Sequence, residues 1–89
     1  MFKLWAKVVK NNKTIDDIII ENDNSELNRT RKIFQGLEDA CYEYNLAKPI
    51  WLDSNISSFK KHSRTRFTQD NFIETIDFDY LEIEVIEDD

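Results

Sequence analysis

The densest chemistry in this chain lies in residues 59–67, FKKHSRTRF. Lys60, Lys61, Arg64 and Arg66 concentrate positive charge there, and His62 adds to it as pH falls. Guanidinium forks and ammonium groups at this density hold phosphate or carboxylate, and Phe59 and Phe67 at the ends offer rings for stacking. Arg29, Arg31 and Lys32 extend the patch if their segment lies alongside. These eight residues form a candidate anion or nucleic-acid site. The competing reading is a solvated basic surface that pairs with the acidic end of the same chain, with both Phe as core anchors. The charge distribution bears on this choice. Residues 1–69 sum to +3, whereas residues 70–89 carry nine acidic side chains and no basic one. An acidic segment beside a nucleic-acid surface repels phosphate, so nucleic-acid binding requires the two charge sets to lie on opposite faces.

Other reactive residue types offer less. The acidic end comprises Asp77, Asp79, Glu82, Glu84, Glu87, Asp88 and Asp89. A hard cation needs converging oxygens, and there is no D-x-D-x-D-G loop to converge them. No metal is expected. These carboxylates read better as a charged strand edge that blocks sheet-to-sheet aggregation, or as an acidic surface imitating nucleic acid. His62 is the only histidine; a catalytic role would need a nucleophile, with Ser63 adjacent, and an orienting carboxylate such as Asp53 or Asp70. Cys41 lies on an apolar stripe and reads as a core residue. Trp5 and Trp51 also read as core. The chain has no P-loop, G-x-G-x-x-G, zinc-ligand spacing or G-x-S-x-G. The expectation is a chain that is not an enzyme and needs no cofactor.

These residues must be positioned by a small set of elements. Residues 2–9 alternate as a strand, with Phe2, Leu4, Ala6 and Val8 on one face. Residues 14–21 form a second strand, joined by an Asn11-Asn12 turn, since Asn tolerates positive φ. The implied register puts Val8 opposite Ile15, Lys7 opposite Asp16, Trp5 opposite Ile18 and Leu4 opposite Ile19. Residues 24–46 read as a long helix, capped by Asp23 and Glu26 and ended by Lys48-Pro49. Leu27, Phe34, Leu37, Cys41 and Tyr44 form its stripe, widened by Ile33 and Ala40. Gly36 and Ala40 allow close approach to the sheet. Its charges run against the macrodipole, with Arg29, Arg31 and Lys32 first and Glu38, Asp39 and Glu43 last, which suggests they answer to something outside the helix. A short helix over 55–62, capped by Asp53 or Ser54, turns Ile56 and Phe59 inward. Ser63 to Phe67 is extended, with Arg64 and Arg66 on one face. Thr68 caps a further helical turn. Residues 78–87 form a strand with Leu81, Ile83 and Val85 inward, and a bulge is expected near Asp79-Tyr80.

The fold class that follows is α+β in two layers: about three antiparallel strands with one long helix packed on the sheet. The C-terminal strand lies beside the first. The expected core is Leu4, Ala6, Val8, Ile15, Ile19, Phe34, Leu37, Cys41, Tyr44, Leu81, Ile83 and Val85. Trp5, Val9, Ile18 and Ile20 then form a second apolar face, covered by the segment around Trp51 and Phe59 or by a second copy of the chain.

With 89 residues and 40% hydrophobic content, the chain fits one domain over residues 1–89. One Cys excludes an internal disulfide framework and suits a reducing compartment. No run is long enough for a membrane span, and the Lys-studded N-terminus is no signal peptide, so a cytoplasmic location and no membrane partner are expected. The stretch KPIWLDSNISSFKKHSRTRFTQDNFIETIDFDYLE, residues 48–82, resembles one found in short uncharacterised bacterial proteins of similar length, and the KIFQGLEDACYEYNL segment is compatible with the same group. The resemblance implies a small bacterial cytosolic protein and carries no activity. The function expected is protein binding or regulation, with a protein partner or a second copy in a homodimer. The alternative is a nucleic-acid or phosphate-binding module using residues 59–67.

Overall fold

The computed structural model describes residues 1–88. Strands β1 (Phe2–Lys10) and β2 (Lys13–Asn22) form a hairpin, followed by helices α1 (Arg29–Glu43) and α2 (Asp53–His62). Strand β3 (Arg64–Phe67), a single 3-10 turn (Gln69–Asn71) and strand β4 (Tyr80–Glu87) complete the described chain. The sheet is four-stranded and antiparallel in the order β2-β1-β4-β3. The architecture is α+β as expected, with one more strand and a second full helix.

Asn11 and Asn12 both adopt positive φ (54° and 64°), so the two-residue hairpin turn forms as the sequence implies. Its register is the expected one only at the turn, where Val9 faces Thr14 and Lys10 faces Lys13. Beyond it, Val8 faces Asp16, which leaves Ile15 as an extra residue in β2. This bulge slips the rest of the strand by one, and a one-residue slip exchanges faces. Ile18 and Ile20 therefore pack on the core, whereas Ile15 and Ile19 are 59% and 50% exposed. The second sheet irregularity lies between Lys3 and Leu4 opposite β4, at the far end from Asp79-Tyr80.

Helix α1 begins later than the capping pattern at Asp23 suggests. Asn22 and Asn24 accept the backbone N–H groups of Asn24 and Glu26 in local turns, and Asn28 caps the helix by accepting from Arg31 N at 2.9 Å. It also ends before Pro49. Asn45 at φ 55° closes it, with Asn45 N donating to Tyr42 O and Leu46 N to Cys41 O, a double-bonded left-handed stop. The buried face is Ile33, Gly36, Leu37, Ala40 and Cys41. A Cβ on Gly36 would stand 2.7 Å from Leu4 Cδ2, so the missing side chain is what lets α1 lie this close to β1.

Both helices cover one face of the sheet, over Phe2, Leu4, Ala6, Phe67, Leu81 and Ile83. Trp51 joins the layers, with its ring 5.1 Å from Phe67, 5.9 Å from Phe59 and 5.6 Å from Phe34, all edge-on. Trp51 and Phe59 thus serve the core face and do not cover the second face. Beneath α2 a buried amide pair ties the irregular chain together. Asn55 donates to Thr65 Oγ1 and Arg66 O and accepts from Leu52 N and Asn71 Nδ2. Asn71 in turn donates to Ile50 O and accepts from Thr68 N. All four hydrogen-bonding positions of the Asn55 amide are used. Leu52, not Asp53 or Ser54, precedes the first turn of α2, and Asn55 holds the backbone there.

Candidate functional site

The acidic C-terminal strand does not form an edge. Strand β4 runs between β1 and β3, so the acidic stretch is interleaved with basic strands. On the sheet face away from the helices, Asp17, Lys7, Glu82 and Arg66 lie in one cross-strand row of alternating charge. Lys7 Nζ stands 2.8 Å from Glu82 Oε2, and Arg66 Nε donates to Glu82 Oε1 at 2.9 Å. Burial alone would raise the Glu82 pKa, but hydrogen bonds from Lys7 and Arg66 outweigh it and hold the carboxyl below its ordinary value. The Arg66 guanidinium is pushed up, chiefly by its bond to Glu82. It also lies 4.5 Å over Tyr80, while Lys7 lies 4.0 Å over Trp5, whose Nε1–H donates to Asp17. The rings of the second face are thus covered by its own cations, while Ile19, opposite Trp5, stays half exposed.

The eight basic-site candidates fall in separate places. Arg64 and Arg66 are on the open sheet face, with Arg64 in register with Glu84. Lys60, Lys61 and His62 are exposed in the last turn of α2, across the sheet, where they complement the helix dipole. Arg31 is exposed on the outer side of α1. Lys32 is only 3% exposed and is no surface cation, because the helix turns it toward the interior. Arg29, the first residue of α1, reaches across to the C-terminal end of α2. Its Nε stands 3.0 Å from Asp88 Oδ1, its Nη2 donates to Ser63 Oγ, and its guanidinium lies 5.8 Å from the Phe59 ring centre. The structure therefore brings Arg29 and Lys60 together and sends Arg64 and Arg66 elsewhere. Asp89, the last of the acidic residues singled out in the sequence, lies outside the described residues.

Arg29 and Lys60 frame a groove of about 490 Å³ between the two helices. Its floor and walls are Ile33, Phe34, Trp51, Ile56 and Phe59, with Thr30 and Ser63 at the rim. Phe34 is 50% exposed and Ile56 42%, so two side chains expected in the core are presented to the solvent in this groove. The signal for this was present in the sequence. Ile33 and Phe34 are adjacent on one helix, and a helix packed by a single stripe cannot bury both equally. Among the described residues no group of three His, Cys, Asp or Glu side chains converges to hold a metal ion. Cys41 is buried, and burial pushes its thiol up to about 11, which disfavours a nucleophilic thiolate. His62 makes no side-chain hydrogen bond or ion pair among the described residues, and no helix there is long and apolar enough to cross a membrane.

No family model, curated protein or solved structure matches the chain.

Proposed function

We propose that this chain is a non-enzymatic protein-binding domain and that its binding surface is the groove between α1 and α2. The observation that carries the reading is the half-exposed Phe34 ring, held edge-on to Trp51 in a groove whose floor is apolar. A large aromatic fixed in place but left half in solvent is a ready anchor for a partner's apolar side chains. The open sheet face exposes Ile19, but its rings are covered by Lys7 and Arg66. A nucleic-acid module built on residues 59–67 would call for Lys60, Lys61, Arg64 and Arg66 on one surface, and the turn at Ser63 (φ 55°) sends the arginines to the other layer.

The test is selection of random peptides displayed on phage against the whole chain. Enriched peptides should lose binding to the Phe34→Ala/Ile56→Ala variant, whose substitutions are at half-exposed positions and whose folding is checked by circular dichroism. Peptides that bind the variant equally well would place recognition elsewhere. Enrichment of none would remove the reading.

A further inference from the structure

The groove has a second property besides its apolar floor. Both charges at its rim are cationic, in a chain of net charge -6. Lys60 forms no ion pair among the described residues, and Arg29 is held by the exposed carboxylate of Asp88 from the end of the chain's own last strand. A carboxylate therefore already occupies the position that a partner's carboxylate would take. The walls matter too. Apart from Trp51, the apolar floor is made by side chains from the interior turns of two helices. The backbone groups at Ile33, Phe34, Ile56 and Phe59 are bonded within each helix, so the floor itself offers no free N–H or C=O group to a ligand; the unbonded helix ends lie at the rim, at Arg29 and Thr30. An extended peptide pressed into it would bury its own backbone groups unpaired, which is costly. A helix arrives with its backbone bonds already made and presents apolar side chains at i, i+3 or i+4, and i+7.

We infer that the groove receives an amphipathic α-helix bearing Asp or Glu beside its apolar stripe, and that Asp88 of the chain itself occupies the Arg29 site until the partner's carboxylate displaces it. This rests on the groove being the binding surface and goes further by naming the partner's chemistry. Arg29 exchanges one carboxylate for another, so its ion pair is conserved through binding. Lys60 gains an ion-pair partner that it lacks among the described residues.

The probe is a synthetic helical peptide of about 16 residues with Leu at the i, i+3 and i+7 positions and Glu flanking them, compared with versions carrying Gln or Lys at the Glu positions. Binding is measured by fluorescence anisotropy on the whole chain. The Glu peptide should bind tightest, by roughly two- to fivefold over the Gln version per rim contact, and the advantage should shrink with added salt. Lys60→Glu should reverse the order of the Glu and Lys peptides. Asp88→Asn should tighten the Glu peptide, by roughly two- to fivefold, and leave the Gln version unchanged. Both positions are exposed, and circular dichroism is to check that each variant is folded. Equal affinities for the three peptides, with binding still lost in Phe34→Ala, would overturn the acidic-helix inference and leave the groove reading standing. Binding that survives Phe34→Ala would overturn both. Failure of all three peptides to bind, or dependence on Glu without change in Asp88→Asn, would overturn the inference as stated.

Discussion

The open face of the sheet and the groove between the helices contain the same ingredients, cations beside aromatic rings, and differ in what faces the cations. On the sheet, Lys7 and Arg66 each lie over a ring and each also reach Glu82, which is only 8% exposed. In the groove, Arg29 lies over Phe59 and meets the exposed carboxylate of Asp88 and the Ser63 hydroxyl, and Lys60 has no ion-pair partner among the described residues. Cross-strand register fixes the first set, so its charges serve to hold strands together. No buried carboxylate fixes the second set: Lys60 stands without an ion pair among the described residues, and Arg29 is held only by exposed groups that a ligand can displace. Sequence density of charge does not separate these cases; the geometry of what stands opposite does.

This contrast can be broken most severely at its centre. Glu82→Lys would set like charges together in the middle of the sheet and should cost about 3 kcal/mol or more, read by urea denaturation. A loss below about 1 kcal/mol would mean the ladder contributes little. Acid is the next lever. The Glu82 carboxyl is depressed in the folded state relative to its ordinary value of 4.5, so its stabilising contribution is present above that pH and is lost as pH falls through the folded value. Glu82→Gln should therefore cost about 1–2 kcal/mol at neutral pH and flatten the acid limb of the stability profile. An unchanged acid limb would assign the acid sensitivity to other carboxylates. On the groove side, Phe34→Ala should cost only about 1 kcal/mol of stability, since half the ring is already in water, while removing peptide binding. Smallest of all, Lys60→Ala should change stability by less than about 0.5 kcal/mol. A larger loss would show that Lys60 has a structural role like that of Lys7.

Much of this was legible in the residues. The Asn-Asn turn, the inward Leu81-Ile83-Val85 face, the pairing of β4 with β1 and the close approach at Gly36 all follow from local rules of φ, alternation and size. What escaped is non-local. No pattern announces that Ile15 is left over as a bulge, because the turn chemistry on one side and the Ile run on the other fit two registers. Strand β3 is only four residues long, and its place in the sheet depends on β4, not on itself. The basic run in residues 59–67 is a single feature in the chain but is split at Ser63, where a left-handed residue passes it from helix to strand. The groove was partly visible, in the excess of apolar residues on α1. Its cationic rim was not, because Arg29 and Lys60 meet only once two helices are docked.

The place of β4 in the sheet also bears on the order in which the molecule assembles. Its partner β1 begins the chain, so their pairing closes a loop of roughly 70–80 residues, at a high entropic cost relative to a hairpin. The β1–β2 hairpin and the α2–β3 unit are local and can form first, on the microsecond scale typical of such pieces. Until β4 inserts, β3 has no strand partner, Arg66 lacks Glu82 and Lys7 lacks its 2.8 Å carboxylate, while Lys3 already meets Glu21 within the hairpin. Arrival of the acidic strand joins the two halves and brings Glu82 to Lys7 on one side and Arg66 on the other. Insertion of β4 is therefore also an electrostatic step, and its rate should depend on ionic strength and acidity in the same sense as the stability of the finished sheet.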